Sequence, residues 1–356
     1  MAVGVLMLYK ASAPGSVMLL GEHAVLHDKR AIVLAIERRI VVALSPRTDQ
    51  KIYIHSDLGS LETNIDDCAH AEKPFDFVMA VIALFQECLA QRKQGFDLNI
   101  SSQCDPEVGL GSSAAVCVAV SAVLYQWLSQ PPLKGVECIS TRGAVPFKRG
   151  AGAEHPGGYS FKRDEQALQQ IFQTALQAVR AVQGLGSGAD VAASVWGGAL
   201  LYQQQGPYPL QHLGPLPALS LVYSGSKIAT PIVVRQVQVL YMRYSKLIGS
   251  LYAMMDQLVQ TALEAIAVQD WPALGELMQI QGGLMKSLGV ETAPLAGIIT
   301  ALNQQTGIYG AKISGSGLGD CVIGLGRCAQ WDDSIGRLIP IACAIEGLFM
   351  VESTLV

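Results

Sequence analysis

A long uncharged segment limits what this chain can fold into. Residues 109–133 contain no Asp, Glu, Lys or Arg. The segment opens with a Gly-Ser turn and ends at Pro131-Pro132, which leaves about fifteen residues for a helix, fewer than the 18 or more that a membrane span needs. A helix that is apolar on all sides is typical of a protein core. The rest of the chain must therefore supply enough structure to cover it.

The composition allows such a core. The chain has 356 residues, of which 50% are hydrophobic and 15% charged, so we expect about two folded domains rather than a disordered chain. A net charge of −4 without a basic patch argues against a nucleic-acid-binding protein. The eight cysteines include no C-x-x-C pair and the N terminus lacks a signal-peptide pattern, so we expect a cytoplasmic protein with free thiols.

Hydrophobic periodicity predicts an α+β protein with a boundary in the proline-rich residues 206–217. We therefore expect an N-terminal domain over 1–205 and a C-terminal domain over 218–356. Helices are predicted over 75–91, 114–128, 166–183, 232–269 (one or two helices) and 274–288. Strands are predicted over 40–44, 52–54, 96–100, 198–202, 219–223, 309–313 and 321–325. The charged, glycine-rich segment 134–165 has no clear periodicity and is interpreted as a lid, an insertion or a loop.

The turn before the uncharged helix, Pro106-Glu-Val-Gly-Leu-Gly-Ser-Ser-Ala-Ala115, carries the strongest chemical signal. Gly109 and Gly111 allow close approach of the backbone, and Ser112 and Ser113 stand where a helix N-cap is expected. Exposed amides at the positive end of a helix dipole suit a polyphosphate. The alternative is a Gly-Ser turn that only caps a buried helix. The turn matches neither a Walker A loop nor a dinucleotide fingerprint.

Two further glycine-rich turns follow. In Gly186-Ser-Gly-Ala-Asp190, the carboxylate could act as a general base on a hydroxyl group or could cap the next helix. The segment Lys312-Ile-Ser-Gly-Ser-Gly-Leu-Gly-Asp320 joins two predicted strands, and a tight hairpin explains it equally well. Near the N terminus, Glu22-His23 follows an apolar strand, which allows either substrate contact or structural burial.

Taken in order, these segments resemble the GHMP kinases, the family of the galactose, homoserine, mevalonate and phosphomevalonate kinases. The resemblance rests on Ser12–Ala24, Pro106–Ala115, Gly186–Trp196 and Lys312–Cys321 and covers most of the chain. It implies an α+β, two-domain fold with an N-terminal ribosomal protein S5 domain 2-like part and a C-terminal ferredoxin-like part. The active site would lie between them.

The resemblance also implies an ATP- and Mg2+-dependent kinase for a small-molecule substrate. Asp190 would be the catalytic residue and Ser113 would reach the metal. The residues expected to hold ATP are Pro106, Gly109, Leu110, Gly111, Ser112, Ser113 and Ala114. The residues expected near the substrate are Glu22, His23, Ser187, Gly315 and Ser316.

Within the family, Gly-Glu-His-Ala-Val-Leu-His at 21–27 and Val195-Trp-Gly-Gly-Ala-Leu resemble the members that act on mevalonate. The segment Gln183–Ala193 and the Gly319-Asp-Cys ending resemble those that act on phosphomevalonate. The expected substrate is mevalonate or a related hydroxy acid, with no nucleic-acid or membrane partner, and a homodimer is compatible with the resemblance. A nucleotide-binding sensor that has lost its catalytic activity is the alternative outside enzymes.

Two positions depart from the family pattern. The Lys that usually follows Ala-Pro-Gly is replaced by Ser16, and the place of a metal-binding Glu is taken by Val179. Lys227 and Lys312 are the candidates to supply the missing positive charge.

Overall fold

The computed structural model describes residues 8–67, 73–105, 108–130, 165–205 and 210–351. Pro106 and residues 134–164 lie outside this set, so the expectations for Pro106 as an ATP contact and for the segment 134–165 are not tested by it.

The described residues alternate helices and strands, which confirms the α+β prediction. The strands are β1 (Tyr9–Leu20), β2 (Ala31–Pro46), β3 (Lys51–Ser56), β4 (Gly59–Asn64), β5 (Phe96–Ser102), β6 (Ala199–Tyr202), β7 (Leu210–His212), β8 (Leu219–Tyr223), β9 (Ile308–Ser314), β10 (Cys321–Gly326), β11 (Arg337–Ile341) and β12 (Phe349–Val351). The helices are α1 (Asp76–Leu84), α2 (Gln86–Arg92), α3 (Ser112–Leu128), α4 (Glu165–Gln183), α5 (Ala189–Trp196), α6 (Thr230–Arg243), α7 (Ser245–Ala267), α8 (Trp271–Ser287) and α9 (Ala293–Asn303).

The first sheet runs in the order β12-β1-β2-β5-β3-β4, and β6 also pairs with β2. Its two long central strands, β1 and β2, are antiparallel over most of their length. Helices α3 and α5 pack on this sheet, α1 and α4 pack on α3, and the apolar side chains of all four helices form one core with the sheet. The sheet and its helix layer hold the first two glycine-rich turns in place.

Helix α3 is the uncharged helix that the sequence predicted, and it is buried. Val118, Val120 and Val123 are fully covered, and Trp127 meets Phe96 of β5 edge-on with ring centroids 5.5 Å apart. Burial of each such side chain contributes about 1.5–3 kcal/mol. The end of α3 that carries the glycine-serine turn is thereby fixed relative to β1.

The second sheet runs β11-β8-β10-β9 and is antiparallel throughout. Strands β9 and β10 form the predicted hairpin-like pair, with Ser314 opposite Cys321 at the turn. Helices α8 and α9 pack on β9, and α7 packs on α8. This arrangement places the third glycine-rich turn at the edge facing the first sheet.

The two halves are joined by apolar contacts and, among the described residues, by three ion pairs. Side chains of β1 and β2, including Leu19 and Leu34, share a core with Leu258 of α7 and Ile323 of β10. Arg30 binds Asp256 of α7 through its Nε and Nη2 atoms at 2.9 and 2.7 Å. Strand β12, near the end of the chain, pairs with β1 in the first sheet. The described residues include no helix long and apolar enough to cross a membrane.

Candidate active site

A cavity of about 1110 Å³ lies between the two halves, and all three glycine-rich turns line it. The first turn contributes Gly109, Gly111 and the start of α3, the second contributes 186–188, and the third contributes Gly315 and Ser316. The sequence places these turns more than 70 residues from one another, and the fold brings them to one space. A large concave space with a few convergent polar groups is the usual form of a small-molecule site.

The first turn packs so closely against β1 that position 111 has room only for glycine. The Ser16 amide donates to the Leu110 carbonyl oxygen at 2.9 Å. A Cβ atom on Gly111, which has φ +68°, would overlap the Ser16 Oγ atom. Gly111 is the N-cap residue of α3, and no side chain caps this helix. The expectation that Ser112 or Ser113 is the N-cap is therefore wrong, because the left-handed glycine ends the turn one residue earlier.

Both serines belong to the first helical turn and line the cavity, together with Ala114. Amides at this end of a helix suit anionic groups, and the positive end of the helix dipole adds to the attraction. The Leu110 side chain points the other way, into the core shared by the two sheets. Only the backbone of Leu110 therefore takes part in shaping the turn.

Asp190 stands in the first turn of α5, with its side chain open to the cavity and protein around its other sides. The Ser16 hydroxyl donates to Asp190 Oδ1 at 2.9 Å. Desolvation raises the pKa of Asp190, and the hydrogen bond from Ser16 partly opposes this rise. The structure thus joins the predicted catalytic carboxylate to the residue that replaces the family Lys. The sequence showed Ser16 as a departure but not as the partner of Asp190.

The second turn is held by its own polar atoms. The Ser187 Oγ atom accepts from the Ala189 amide at 3.3 Å, and the Ser187 carbonyl oxygen accepts from the Tyr202 hydroxyl at 2.7 Å. Val179 of α4 also lines the cavity. An apolar side chain therefore stands where the family resemblance leads one to expect a metal-binding carboxylate.

Glu22 lines the cavity, but its carboxylate is hydrogen-bonded to two residues that do not line the cavity. Lys312 of β9 donates to Glu22 Oε1, and Gln281 Nε2 of α8 donates to Glu22 Oε2 at 3.2 Å. The side chains of Lys312 and Glu22 are 0% and 2% exposed. Burial lowers the pKa of Lys312, which the charge of Glu22 partly opposes. Lys312 does not line the cavity, so this candidate for the missing cation is used in a structural ion pair.

His23 connects the N-terminal half to the third turn. Its Nε2 atom lies 2.8 Å from the Ser316 carbonyl oxygen, which can only accept, so Nε2 carries the proton. Burial lowers the pKa of His23 and favours the neutral ring. Ser316 therefore contributes its carbonyl oxygen to the contact with His23, whereas its hydroxyl is buried without a partner among the described residues.

Asp320 and Lys227 also reach the cavity. Asp320 Oδ1 accepts from the Gly109 amide at 2.6 Å. Burial raises the pKa of Asp320, the charge of Lys227 and the Gly109 amide oppose this rise, and the charge of Asp190 adds to it. The sequence contained Asp320 only as the end of a motif. Nothing local in a single sequence shows that it meets the first turn, 211 residues earlier.

Among the described residues there is no cluster of three or more His, Cys, Asp or Glu side chains that could hold a metal ion unaided. The cavity does offer hard oxygen donors, namely the Ser113 hydroxyl and the Asp190 carboxylate. Such donors suit Mg2+, which commonly takes one or two carboxylates together with substrate phosphates. The cavity is therefore compatible with a cation that arrives with a nucleotide.

Comparison with known families gives three matches along the chain. Residues 76–152 match the GHMP kinases N terminal domain, and residues 262–333 match the GHMP kinases C terminal domain. Residues 9–46 match the galactokinase galactose-binding signature.

Relatives and solved structures agree with these matches. A mevalonate kinase of Pyrococcus horikoshii is 30% identical over 353 residues, covering 94% of this chain and 91% of that protein. A mevalonate kinase of Thermococcus sibiricus is 29% identical and covers 88% of each chain. The structure of L. major mevalonate kinase in complex with R-mevalonate superposes with a TM-score of 0.67 at 20% identity, covering 98% of this chain and 97% of that one. The chain belongs to the GHMP kinase family.

Proposed function

We propose that this protein transfers the γ-phosphoryl group of ATP to mevalonate, giving 5-phosphomevalonate and ADP. The observation that carries the proposal is the Ser16–Asp190 hydrogen bond in a cavity formed by all three glycine-rich turns. The kinase activity follows from membership of the family. The choice of mevalonate is supported by relatives of that name that match the chain over most of its length.

We propose that ATP binds with its phosphates at the start of α3. Gly109, Gly111, Ser112 and Ser113 line the cavity there, and the helix dipole favours negative charge. Gly315 and Ser316 approach from the opposite half and would close the phosphate site. In phosphoryl transfer, most of the catalysis comes from positioning and from charge stabilisation, and a site built largely of backbone amides supplies both.

Mg2+ would be held by the Ser113 hydroxyl and the nucleotide phosphates. When bound, it would neutralise part of the charge on the transferred phosphoryl group. Asp190 would orient the acceptor hydroxyl and take its proton, a role for which a raised carboxyl pKa is suited. Ser16 would hold Asp190 in place through Oδ1. Glu22 would shape the cavity wall through its ion pair with Lys312. His23 would position the third turn through its hydrogen bond to the Ser316 carbonyl oxygen.

Lys227 is the proposed source of the charge that Ser16 does not supply. It lies on the connection between β8 and α6 and lines the cavity. Its positive charge opposes the rise in the pKa of Asp320 that burial causes. We expect Lys227→Met to lower kcat/KM for ATP by about 10- to 100-fold, because one charge on the transferring phosphate is then unmatched. Steady-state kinetics with ATP as the varied substrate measures this. Lys246→Met, which removes an exposed charge on α7, serves as the matched control. An unchanged kcat/KM in the Lys227 variant would contradict this role.

The acceptor is tested by magnesium-dependent ADP release with mevalonate, phosphomevalonate, homoserine and galactose in parallel. We expect turnover with mevalonate. Turnover with phosphomevalonate alone would mean that the Gly319-Asp-Cys ending indicates the substrate better than Gly-Glu-His does. Galactose is included because residues 9–46 match the galactose-binding signature. ATP binding without ADP release from any acceptor would favour a nucleotide sensor.

We also propose that the protein works in the cytoplasm on small molecules, without a nucleic-acid or membrane partner, and as a homodimer. The lack of a basic patch supports the absence of a nucleic-acid partner. The family resemblance supports the small-molecule substrate and the homodimer. The domain boundaries at 205 and 218 remain part of the same proposal.

A further inference from the structure

The carboxylate of Asp320 occupies the space between two glycine-rich turns. Its Oδ1 atom accepts from the Gly109 amide at 2.6 Å, in the first turn. A Cβ atom on Gly109 would overlap the Asp320 carboxylate, so the contact requires glycine. On the opposite side, the Cβ position of Gly315 in the third turn lies 4.0 Å from Asp320 Oδ2. The carboxylate therefore stands where both turns would meet a phosphate group.

The backbone at Asp320 is held in a conformation that side chains rarely adopt. Its φ angle is +71°, and glycine would be free of strain at this position. Two hydrogen bonds fix the residue to the neighbouring connection: its amide donates to the Ser226 carbonyl oxygen at 2.6 Å, and its carbonyl oxygen accepts from the Ser224 amide at 2.9 Å. A strained non-glycine residue at a functional cavity points to a role for its side chain.

The charges around Asp320 do not favour a bare polyphosphate. Asp190 lines the same cavity, and its negative charge adds to the rise in the pKa of Asp320. The positive charge of Lys227 opposes that rise. A phosphate at the first turn would compete with Asp320 for the Gly109 amide and would face its carboxylate at short range. Two like charges at such a distance, partly shielded from water, repel strongly. A divalent cation on the nucleotide would turn that repulsion into attraction.

We propose that Asp320 makes this site selective for nucleotide that carries a divalent cation, by repelling metal-free ATP from the Gly109 amide. Asp320 is then a specificity-determining residue of the nucleotide site. The inference rests on the proposed function only in that the start of α3 must be the place where the phosphates bind.

The test compares the affinity for ATP with and without magnesium. Isothermal titration calorimetry gives the Kd of ATP in excess Mg2+ and in EDTA, without an acceptor substrate. Asp320→Asn keeps an oxygen that can accept from Gly109 but removes the charge. We expect the affinity of this variant for metal-free ATP to exceed that of the wild-type protein by about tenfold or more. Its affinity for ATP in Mg2+ should change little or decrease. The preference for the magnesium complex would then shrink by at least the same factor.

Two further variants separate charge from structure. Asp320→Gly suits the positive φ and frees the Gly109 amide, so it should also gain affinity for metal-free ATP. Asp57→Asn removes an exposed carboxylate at the cavity rim and should not change the preference. A gain of affinity is not the result of damage to the fold, so a purely structural role for Asp320 would not produce it.

Unchanged affinity for metal-free ATP in both Asp320 variants would overturn the inference. An equal gain in Asp57→Asn would also overturn it, because the effect would then belong to the cavity as a whole. If the wild-type protein binds no ATP in either buffer, the proposed function fails first and the inference fails with it. These results are distinguishable because only the last removes wild-type binding.

Discussion

Replacing Asp190 by Asn should lower kcat by about a thousandfold while the affinity for magnesium-bound ATP changes little. The amide has nearly the same shape and can still accept the hydrogen bond from Ser16, but it cannot take a proton from the acceptor hydroxyl. The loss should therefore fall on the chemical step. Single-turnover kinetics, together with the Kd of ATP in excess Mg2+, separates the chemical step from binding.

The control for this prediction is Asp57→Asn, which removes a cavity-rim carboxylate of the same charge. We expect its kcat to stay within about twofold of the wild-type value, because Asp57 is exposed and has no proposed contact with the acceptor hydroxyl or the phosphates. An Asp190→Asn variant that turns over at the wild-type rate would contradict the catalytic role of Asp190. A variant that loses ATP binding in step with kcat would instead assign Asp190 to the nucleotide site.

Replacing Lys312 by Met should destabilise the protein by about 3–5 kcal/mol. Lys312 and Glu22 are both buried, and Met leaves the Glu22 carboxylate in the interior with only Gln281 Nε2 as a described side-chain donor. An unpaired buried charge costs far more than the pair itself contributes. Chemical denaturation followed by fluorescence measures the change in free energy of unfolding.

A second substitution shows whether the charge is the cause. Adding Glu22→Gln to Lys312→Met removes the orphaned charge, so the double variant should regain a large part of the lost stability. The matched surface control is Lys286→Met, whose lysine is 70% exposed and pairs with Glu291 at 2.9 Å. Exposed pairs contribute about 0–1 kcal/mol. A Lys312 variant no less stable than this control would contradict a structural role for the buried pair.

Elements with a strong local signal were predicted well from the sequence. The uncharged run gave helix α3 to within two residues at its start, and β8 matches the predicted strand over 219–223. The helix predicted over 75–91 is interrupted at Phe85, which separates α1 from α2. Helix α9 was not predicted, although Leu295, Ile298, Ile299 and Leu302 recur at helical spacing; its other residues include no charged side chain to mark an exposed face.

Long-range pairing could not be read from the sequence. Strand β12 joins β1 with Ser12 opposite Phe349, and no local pattern indicates such a partner. The same limit applies to the site. Asp190 and the glycine-rich turns were singled out from local motifs, yet the Ser16–Asp190 and Gly109–Asp320 contacts join residues 174 and 211 positions apart. Only the packing of β1 against the start of α3, and of the two halves against each other, creates them.

The central claim is that the chain phosphorylates mevalonate, and direct observation of the product tests it best. The protein is incubated with ATP, Mg2+ and mevalonate, and the reaction is followed by phosphorus NMR. We expect a new phosphomonoester signal, coupled to the methylene protons at C5 of mevalonate, to grow at the rate at which ADP appears, and to grow about a thousandfold more slowly with Asp190→Asn. ADP that forms without this signal, or at the same rate in that variant, would contradict the claim.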